Sequence, residues 1–79
     1  MNIDIFSKLK KMMLKKYDKD YLVITKHGIF YNNKKIDEID SNVFLYFTNT
    51  FGSKEVYIIM KDNAEFEIEE TENEVIIVI

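Results

Sequence analysis

The chain has 79 residues, no cysteine and a single histidine, His27, which excludes disulfides and histidine-rich metal sites as reinforcements for its core. All eleven cationic residues are lysine, against fourteen acids, and the net charge is −3. Without arginine, the chain lacks the side chain that recognises phosphate or guanine through two parallel hydrogen bonds. A chain this short has room for one core, so we expect a single domain over residues 1–79.

The N-terminal segment has the spacing of an amphipathic helix over about residues 3–17. Asn2 or Asp4 can cap its start. Lysines lie opposite the apolar side, so the helix would show one face to a core and a positive face to water. The apolar residues that recur three and four positions apart are Ile5, Phe6, Leu9, Met12, Met13 and Tyr17.

From Tyr21 onward, short runs of β-branched and aromatic residues alternate with turn residues, which is typical of strands. Tight turns are predicted at His27-Gly28, at Asn32-Asn33, at Asp62-Asn63 and at Thr71–Asn73, since glycine and asparagine tolerate positive φ. The predicted strands, in chain order, are Tyr21–Lys26, Ile29–Tyr31, Lys34–Ile39, Val43–Thr48, Glu55–Lys61, Glu65–Glu69 and Val75–Ile79.

These elements predict an α+β fold in which the N-terminal helix packs on a curled antiparallel β-meander of five to seven strands, over about residues 21–79. Three predicted strands are apolar on both alternating faces, whereas one helix covers only one side of a sheet. The sheet therefore closes into a small barrel or leaves an apolar face for another chain, as in a homodimer. The side chains expected on that face include Phe44, Tyr46, Tyr57, Ile59, Ile76 and Val78.

The chain ends on a hydrophobic run, Val75–Ile79. A free edge with this composition would be an aggregation hazard. We therefore expect this strand to be paired inside the sheet or across a dimer.

Charge is divided between the two halves of the chain: the segment through Lys35 carries net +6 and the remainder net −9. Strand residues two apart share a face, so Glu65, Glu67 and Glu69 would form a carboxylate ladder with a spacing of about 7 Å. The ladder is either a solubilising face that protects an edge or a docking surface for a cationic partner, including a protein groove that normally holds nucleic acid. The residues expected to contact such a partner are Glu65, Glu67, Glu69, Glu70, Glu72 and Glu74, with apolar support from Tyr46, Phe51 and Tyr57.

The helix lysines allow two interpretations as well. Lysines opposite an apolar stripe are typical of a solvated outer face. The alternative is nucleic-acid binding through their ammonium groups, although the overall charge is negative. The lysines that would carry it are Lys8, Lys11, Lys15 and Lys19.

No pattern of catalytic or cofactor-binding residues stands out. His27 precedes Gly28 and is expected in a turn. The two glycines, Gly28 and Gly52, form no phosphate-binding loop, and no calcium loop is present. No export signal is visible, and the longest apolar run is far shorter than the roughly 20 residues of a membrane-spanning helix. We expect a cytoplasmic protein that is not an enzyme and holds no metal or cofactor.

Two resemblances add to this reading. The run from Tyr21 to Ile36, YLVITKHGIFYNNKKI, resembles the hairpin segment of bacterial PH-like domains and covers about a fifth of the chain. The whole chain is similar in style to small phage-encoded inhibitors of the anti-CRISPR kind, which are short, cysteine-free and acidic, with one helix and an antiparallel sheet. The second resemblance implies a protein that binds and inhibits another protein in a host cell.

The sequence thus leads to one hypothesis and two alternatives. The hypothesis is a non-catalytic inhibitor or regulator of phage or mobile-element type that uses its acidic strand face to engage a basic protein surface. The alternatives are a nucleic-acid-binding module that uses the helix lysines and a structural, homodimerising PH-like domain.

Overall fold

The structure is a computed structural model that describes residues 3–61 and 65–79. Two helices and a six-stranded sheet appear in this part of the chain. The predicted α+β class, with the helix at the N-terminus, is confirmed. In chain order the elements are α1 (Ile3–Tyr17), β1 (Tyr21–Thr25), β2 (Gly28–Tyr31), β3 (Lys34–Asp37), α2 (Ser41–Phe51), β4 (Glu55–Lys61), β5 (Glu67–Glu70) and β6 (Glu74–Val78).

Helix α1 forms where the apolar spacing predicts it. Phe6 and Leu9 are buried, and Asp4 in the first turn and lysines in the last turn complement the helix dipole. The helix ends at Asp18, which has a positive φ of 50° and whose amide donates to the Leu14 carbonyl at 2.8 Å. Of the two predicted caps, Asp4 lies within the first turn, and Asn2 lies outside the described residues.

Strands β1, β2 and β3 form the two consecutive antiparallel hairpins that the sequence predicts. Asn32 and Asn33, at φ 51° and 63°, make the second turn in the left-handed region that asparagine tolerates. Gly28 opens β2 at φ 138°, where a Cβ atom would lie 2.7 Å from the Asp37 carbonyl oxygen. Only glycine fits that close approach of two strands.

The predicted strand Val43–Thr48 is wrong, because this segment lies inside α2. Asp40 is the N-cap of that helix, since its side chain accepts from the amides of Asn42 and Val43. Phe47 and Phe51, four residues apart, are buried on one side of the helix. Aromatic residues favour strands locally, but burial of a helical stripe overrides that preference here.

The C-terminal half of the sheet is not a simple meander. The strand order is β3-β2-β1-β4-β6-β5, and β6 lies parallel to β4, from Glu55 opposite Glu74 to Ile59 opposite Val78. A hairpin between β4 and β5 was predicted at Asp62-Asn63. Those two residues lie outside the described part of the chain, but β5 pairs with β6 and not with β4.

Insertion of β6 between β4 and β5 has two consequences. The hydrophobic C-terminal strand β6 is paired on both sides. This pairing was predicted, because an apolar strand at a free edge would promote aggregation. The glutamate-rich strand β5 becomes one edge of the sheet, and all four of its residues are exposed. The predicted hairpin between β5 and β6 is confirmed, closed by the Thr71 amide, which donates to the Glu74 carbonyl at 2.8 Å.

Both described helices cover the same face of the sheet. Phe6 of α1 and Phe47 of α2 belong to one buried cluster with the inward-facing residues of the central strands. The strands do not close into a barrel, because β3 and β5 form two separate edges. The buried sheet residues of that cluster are Leu22, Ile24, Ile29, Val56, Ile58, Met60, Val75 and Ile77.

Candidate functional site

The side chains on the other side of the sheet form what we call the open face. They alternate along each strand with the buried residues, none belongs to the buried core, and both described helices lie on the opposite side. Most of them shield one another and are half-buried, whereas Tyr21 is exposed. The apolar residues of the open face are Tyr21, Val23, Phe30, Tyr57, Ile59, Ile76 and Val78.

One row of directly opposed residues crosses all six strands on this face, and we call it the cross-strand row. It begins with a carboxylate at the β5 edge, continues through four apolar side chains and ends with an ammonium at the β3 edge. With strands about 4.8 Å apart, the two charged ends are separated by about 24 Å. From β5 to β3 the row is Glu67, Val78, Ile59, Val23, Phe30 and Lys35.

The neighbouring row begins in the same way. Glu69 lies opposite Ile76, and Ile76 lies opposite Tyr57. Glu74 lies beside Tyr57 and Ile76, where they line a hollow of about 280 Å³. Three carboxylates therefore border the apolar part of the open face on its β5 and β6 side.

A second hollow, of about 480 Å³, occupies the other half of the open face. Tyr21, Val23, Phe30 and Tyr57 supply its apolar walls. Polar groups stand around it, among them His27, whose Nε2 lies 3.5 Å from Glu55 Oε2. The hollow is partly open to solvent and suits a protruding side chain better than an enclosed small molecule.

The structure divides the predicted acidic block between two sides of the sheet. Glu67 and Glu69 lie on the open face, opposite Val78 and Ile76. Glu70 points to the other side, where its carboxylate lies 2.6 Å from the Lys54 ammonium. The rest of the predicted block, Glu65, Glu72 and Glu74, is exposed.

Of the three predicted apolar contacts, only Tyr57 lies on the open face. Tyr46 and Phe51 belong to α2, on the covered side. Phe51 is buried, and the Tyr46 ring packs edge-on against Phe6 with their centroids 5.8 Å apart. The structure therefore does not bring Tyr46 and Phe51 together with Glu67 and Glu69.

Three residues of the cross-strand row were not considered as site residues from the sequence: Val23, Phe30 and Lys35. Val23 was detectable, because it alternates with Leu22 and Ile24 in a strand that is apolar on both sides. Lys35 was detectable as well, because the predicted two-residue turn at Asn32-Asn33 pairs Phe30 with Lys35, and the β-bulge of β3 lies beyond that pair.

The lysines predicted as an alternative site, Lys8, Lys11, Lys15 and Lys19, are all exposed. They lie on or just after α1, on the covered side of the sheet, and Lys19 Nζ stands 4.8 Å from the centre of the Tyr31 ring. Binding of nucleic acid through them stays a prediction.

A charged cluster joins the end of α1 to β3. Lys16 Nζ lies 2.7 Å from Asp37 Oδ2, and the Tyr17 hydroxyl donates to the same oxygen. The hydrogen bond from Lys16, and then that from Tyr17, hold the pKa of Asp37 well below its usual range. Burial raises the pKa of Tyr17. Both ends of this cluster belong to packed elements, so it orients the helix on the sheet.

Within residues 3–61 and 65–79, no group of three or more histidines and acids is placed to hold a metal ion. Neither described helix is long and apolar enough to cross a membrane. The chain matches no protein-family model, and no curated protein or solved structure is significantly similar to it.

Proposed function

We propose that this chain is a non-catalytic protein-binding domain, an inhibitor or regulator of phage or mobile-element type, and that its open face engages a protein with a cationic surface. The observation that carries the proposal is the register of β5 on β6. It places Glu67 directly beside Val78 and Glu69 directly beside Ile76. Carboxylates and apolar side chains therefore form one continuous surface.

The two β5 carboxylates of this surface are not neutralised within the described chain. Neither Glu67 nor Glu69 forms a salt bridge there, in contrast to Glu70, which pairs with Lys54. Adjacent carboxylates on one strand face repel each other, and a cationic partner relieves that repulsion. Charge would steer the encounter and set its orientation.

The apolar part of the open face would supply most of the affinity. Ile59, Ile76 and Tyr57 lie side by side with no helix of the described chain over them. Apolar surface of this kind contributes about 25 cal/mol per Å² when a partner removes it from water. The acidic balance, small size and lack of cysteine, which small phage-encoded inhibitors share, support the proposed setting.

The test is affinity capture with the tagged chain from a lysate of the organism that encodes it, with captured proteins identified by mass spectrometry. Reversal of both open-face carboxylates, Glu67→Lys with Glu69→Lys, is expected to lower recovery of the partner at least about tenfold, because attraction becomes repulsion. Circular dichroism and the unfolding midpoint should stay unchanged, since both side chains are exposed.

The matched control changes the net charge equally with three exposed residues on the covered side, Asp20→Lys beside α1 and Asn49→Lys with Thr50→Lys on α2. This control should capture the partner as the wild type does. Equal recovery by the wild type and the open-face variant would contradict the proposal.

A further inference from the structure

The cross-strand row has an arrangement that is complementary to itself. Its carboxylate end, Glu67, and its ammonium end, Lys35, lie on the same face at opposite edges of the sheet. A rotation of 180° about an axis parallel to the strands exchanges the two edges. A second copy turned in this way presents its Lys35 to the Glu67 of the first.

We infer that the open face binds a second copy of this chain, through a two-fold axis that runs parallel to the strands between β4 and β1. This inference rests on the proposed function, since it names a partner for the same protein-binding face. The two sheets would stack with their strands aligned, as in a β-sandwich. The facing pairs of the cross-strand row would be Glu67 with Lys35, Val78 with Phe30, and Ile59 with Val23.

The neighbouring row supports the same axis by the sizes of its side chains. On β6 and β4 it carries bulky residues, Ile76 and Tyr57. On β1 and β2 it continues through Thr25, which lines the same hollow as Tyr57 and is paired with Gly28. The rotation places the bulky half of one copy over the small half of the other. Tyr57 of each copy would then enter the 480 Å³ hollow of the other.

The other in-plane two-fold axis, perpendicular to the strands, is unfavourable. It would stack each strand on its own counterpart, so Glu67 would face Glu67 and Lys35 would face Lys35 of the second copy. Like charges opposed across an interface repel each other. The two charged ends of the cross-strand row therefore favour the axis parallel to the strands.

Lys35 is available for this contact although it already has a partner. Its Nζ lies 2.6 Å from Glu38 Oε1, and its side chain remains 43% exposed. The Lys35 stem passes over Gly28, where a Cβ atom would lie 2.7 Å from Lys35 Cε. Because Gly28 has no Cβ atom, the Lys35 side chain can lie over it on the open face. The ammonium of Lys35 can accept a second carboxylate as a partner.

The size of the face limits the area that the dimer can bury. Six strands about 4.8 Å apart and five residues long give a projected area on the order of 400 Å² for each copy. The buried accessible surface then lies near the lower bound of specific interfaces, roughly 1,200 Å² in total. We expect a reversible dimer with a dissociation constant on the order of 10 µM. A foreign cationic partner would compete with the second copy for the same surface.

The test is sedimentation equilibrium of the whole chain from about 1 to about 500 µM, which brackets that constant. The wild type is expected to pass from monomer to dimer. Glu67→Lys and Lys35→Glu, taken singly, should each weaken self-association at least about tenfold. In a dimer of either variant, residues 67 and 35 carry the same charge at both of their symmetry-related contacts. An equimolar mixture of the two single variants should restore the dimer, since both contacts are then between opposite charges. The double variant should restore it for the same reason. The control is Asp20→Lys, which reverses an exposed acid on the covered side and should behave as the wild type.

A monomer throughout this range would overturn the inference. So would a dimer that neither reversal weakens, or single variants whose mixture fails to associate. Failure here is separable from failure of the proposed function, because Lys35→Glu removes self-association and leaves Glu67 and Glu69 in place. That variant should still capture a foreign cationic partner.

Discussion

Glu67 on β5 and Lys35 on β3 occupy one row of the open face, with four apolar side chains between them. Their separation of about 24 Å exceeds the Debye length of about 8 Å at physiological ionic strength. The two charges therefore do not neutralise each other within the chain. Both can attract groups of opposite charge on another molecule, which fixes the orientation in which that molecule binds.

Self-association through this row should weaken with salt. Between about 20 and about 500 mM NaCl we expect the dissociation constant to rise several-fold, because two charge pairs at the rim are screened. The measurement is sedimentation equilibrium at each salt concentration. In the neutral double variant, Glu67→Gln with Lys35→Gln, the dissociation constant should be nearly independent of salt. An equally steep dependence in that variant would show that other charges hold the dimer.

Truncation of two adjacent isoleucines of β4 should affect two different quantities, the stability of the fold and the strength of self-association. Ile58 is fully buried against the helices, so Ile58→Ala should lower the free energy of unfolding by about 3 kcal/mol. Ile59 lies half-buried on the open face, so Ile59→Ala should cost less than about 1 kcal/mol in the monomer and weaken association instead. Urea denaturation of dilute protein and sedimentation of concentrated protein separate the two effects. Equal losses of stability would contradict the assignment of the faces.

Capping of α2 by Asp40 should be measurable. The Asp40 carboxylate accepts from the Asn42 amide at 2.8 Å, so Asp40→Ala should lower the free energy of unfolding by about 1 kcal/mol. Asp40→Asn is the conservative control and should lose little, because asparagine caps helices equally well. A thermal or urea midpoint unaffected by the alanine would argue that residues 41–51 are not helical.

Asp37 should make the stability of the fold depend on acid pH. Its pKa is depressed in the folded chain by Lys16 and Tyr17, whereas the unfolded value is about 3.9. A depressed pKa means that the stabilisation is complete above the unfolded value and is lost as the pH falls through the folded value. Asp37→Asn should therefore be less stable than the wild type at pH 7, with a gap that narrows below about pH 4. The control is Asp20→Asn, which changes an exposed acid between α1 and β1. If the difference in unfolding free energy between the wild type and Asp37→Asn did not change with pH, the effect of the substitution would be due to packing.

Local patterns were sufficient for α1, for the two hairpins of β1, β2 and β3, and for the hairpin of β5 and β6, since each depends on residues close in sequence. The same patterns gave the wrong structure for Val43–Thr48. The signal for a helix was present there, in Asp40 as a cap and in apolar residues four apart, but the aromatic run also satisfied a strand pattern. Packing against the sheet decided between the two.

Composition and periodicity are local properties, and they are enough to predict one small core, more apolar strand faces than one helix covers, and a row of carboxylates. Where those features meet depends on how the strands pair in three dimensions. Parallel insertion of β6 between β4 and β5 places Glu67 and Glu69 at an edge beside Val78 and Ile76, and pairing of β1 with β4 places Lys35 at the other end of the same row. Strand order arises from pairing between distant segments, which residue spacing along the chain does not encode.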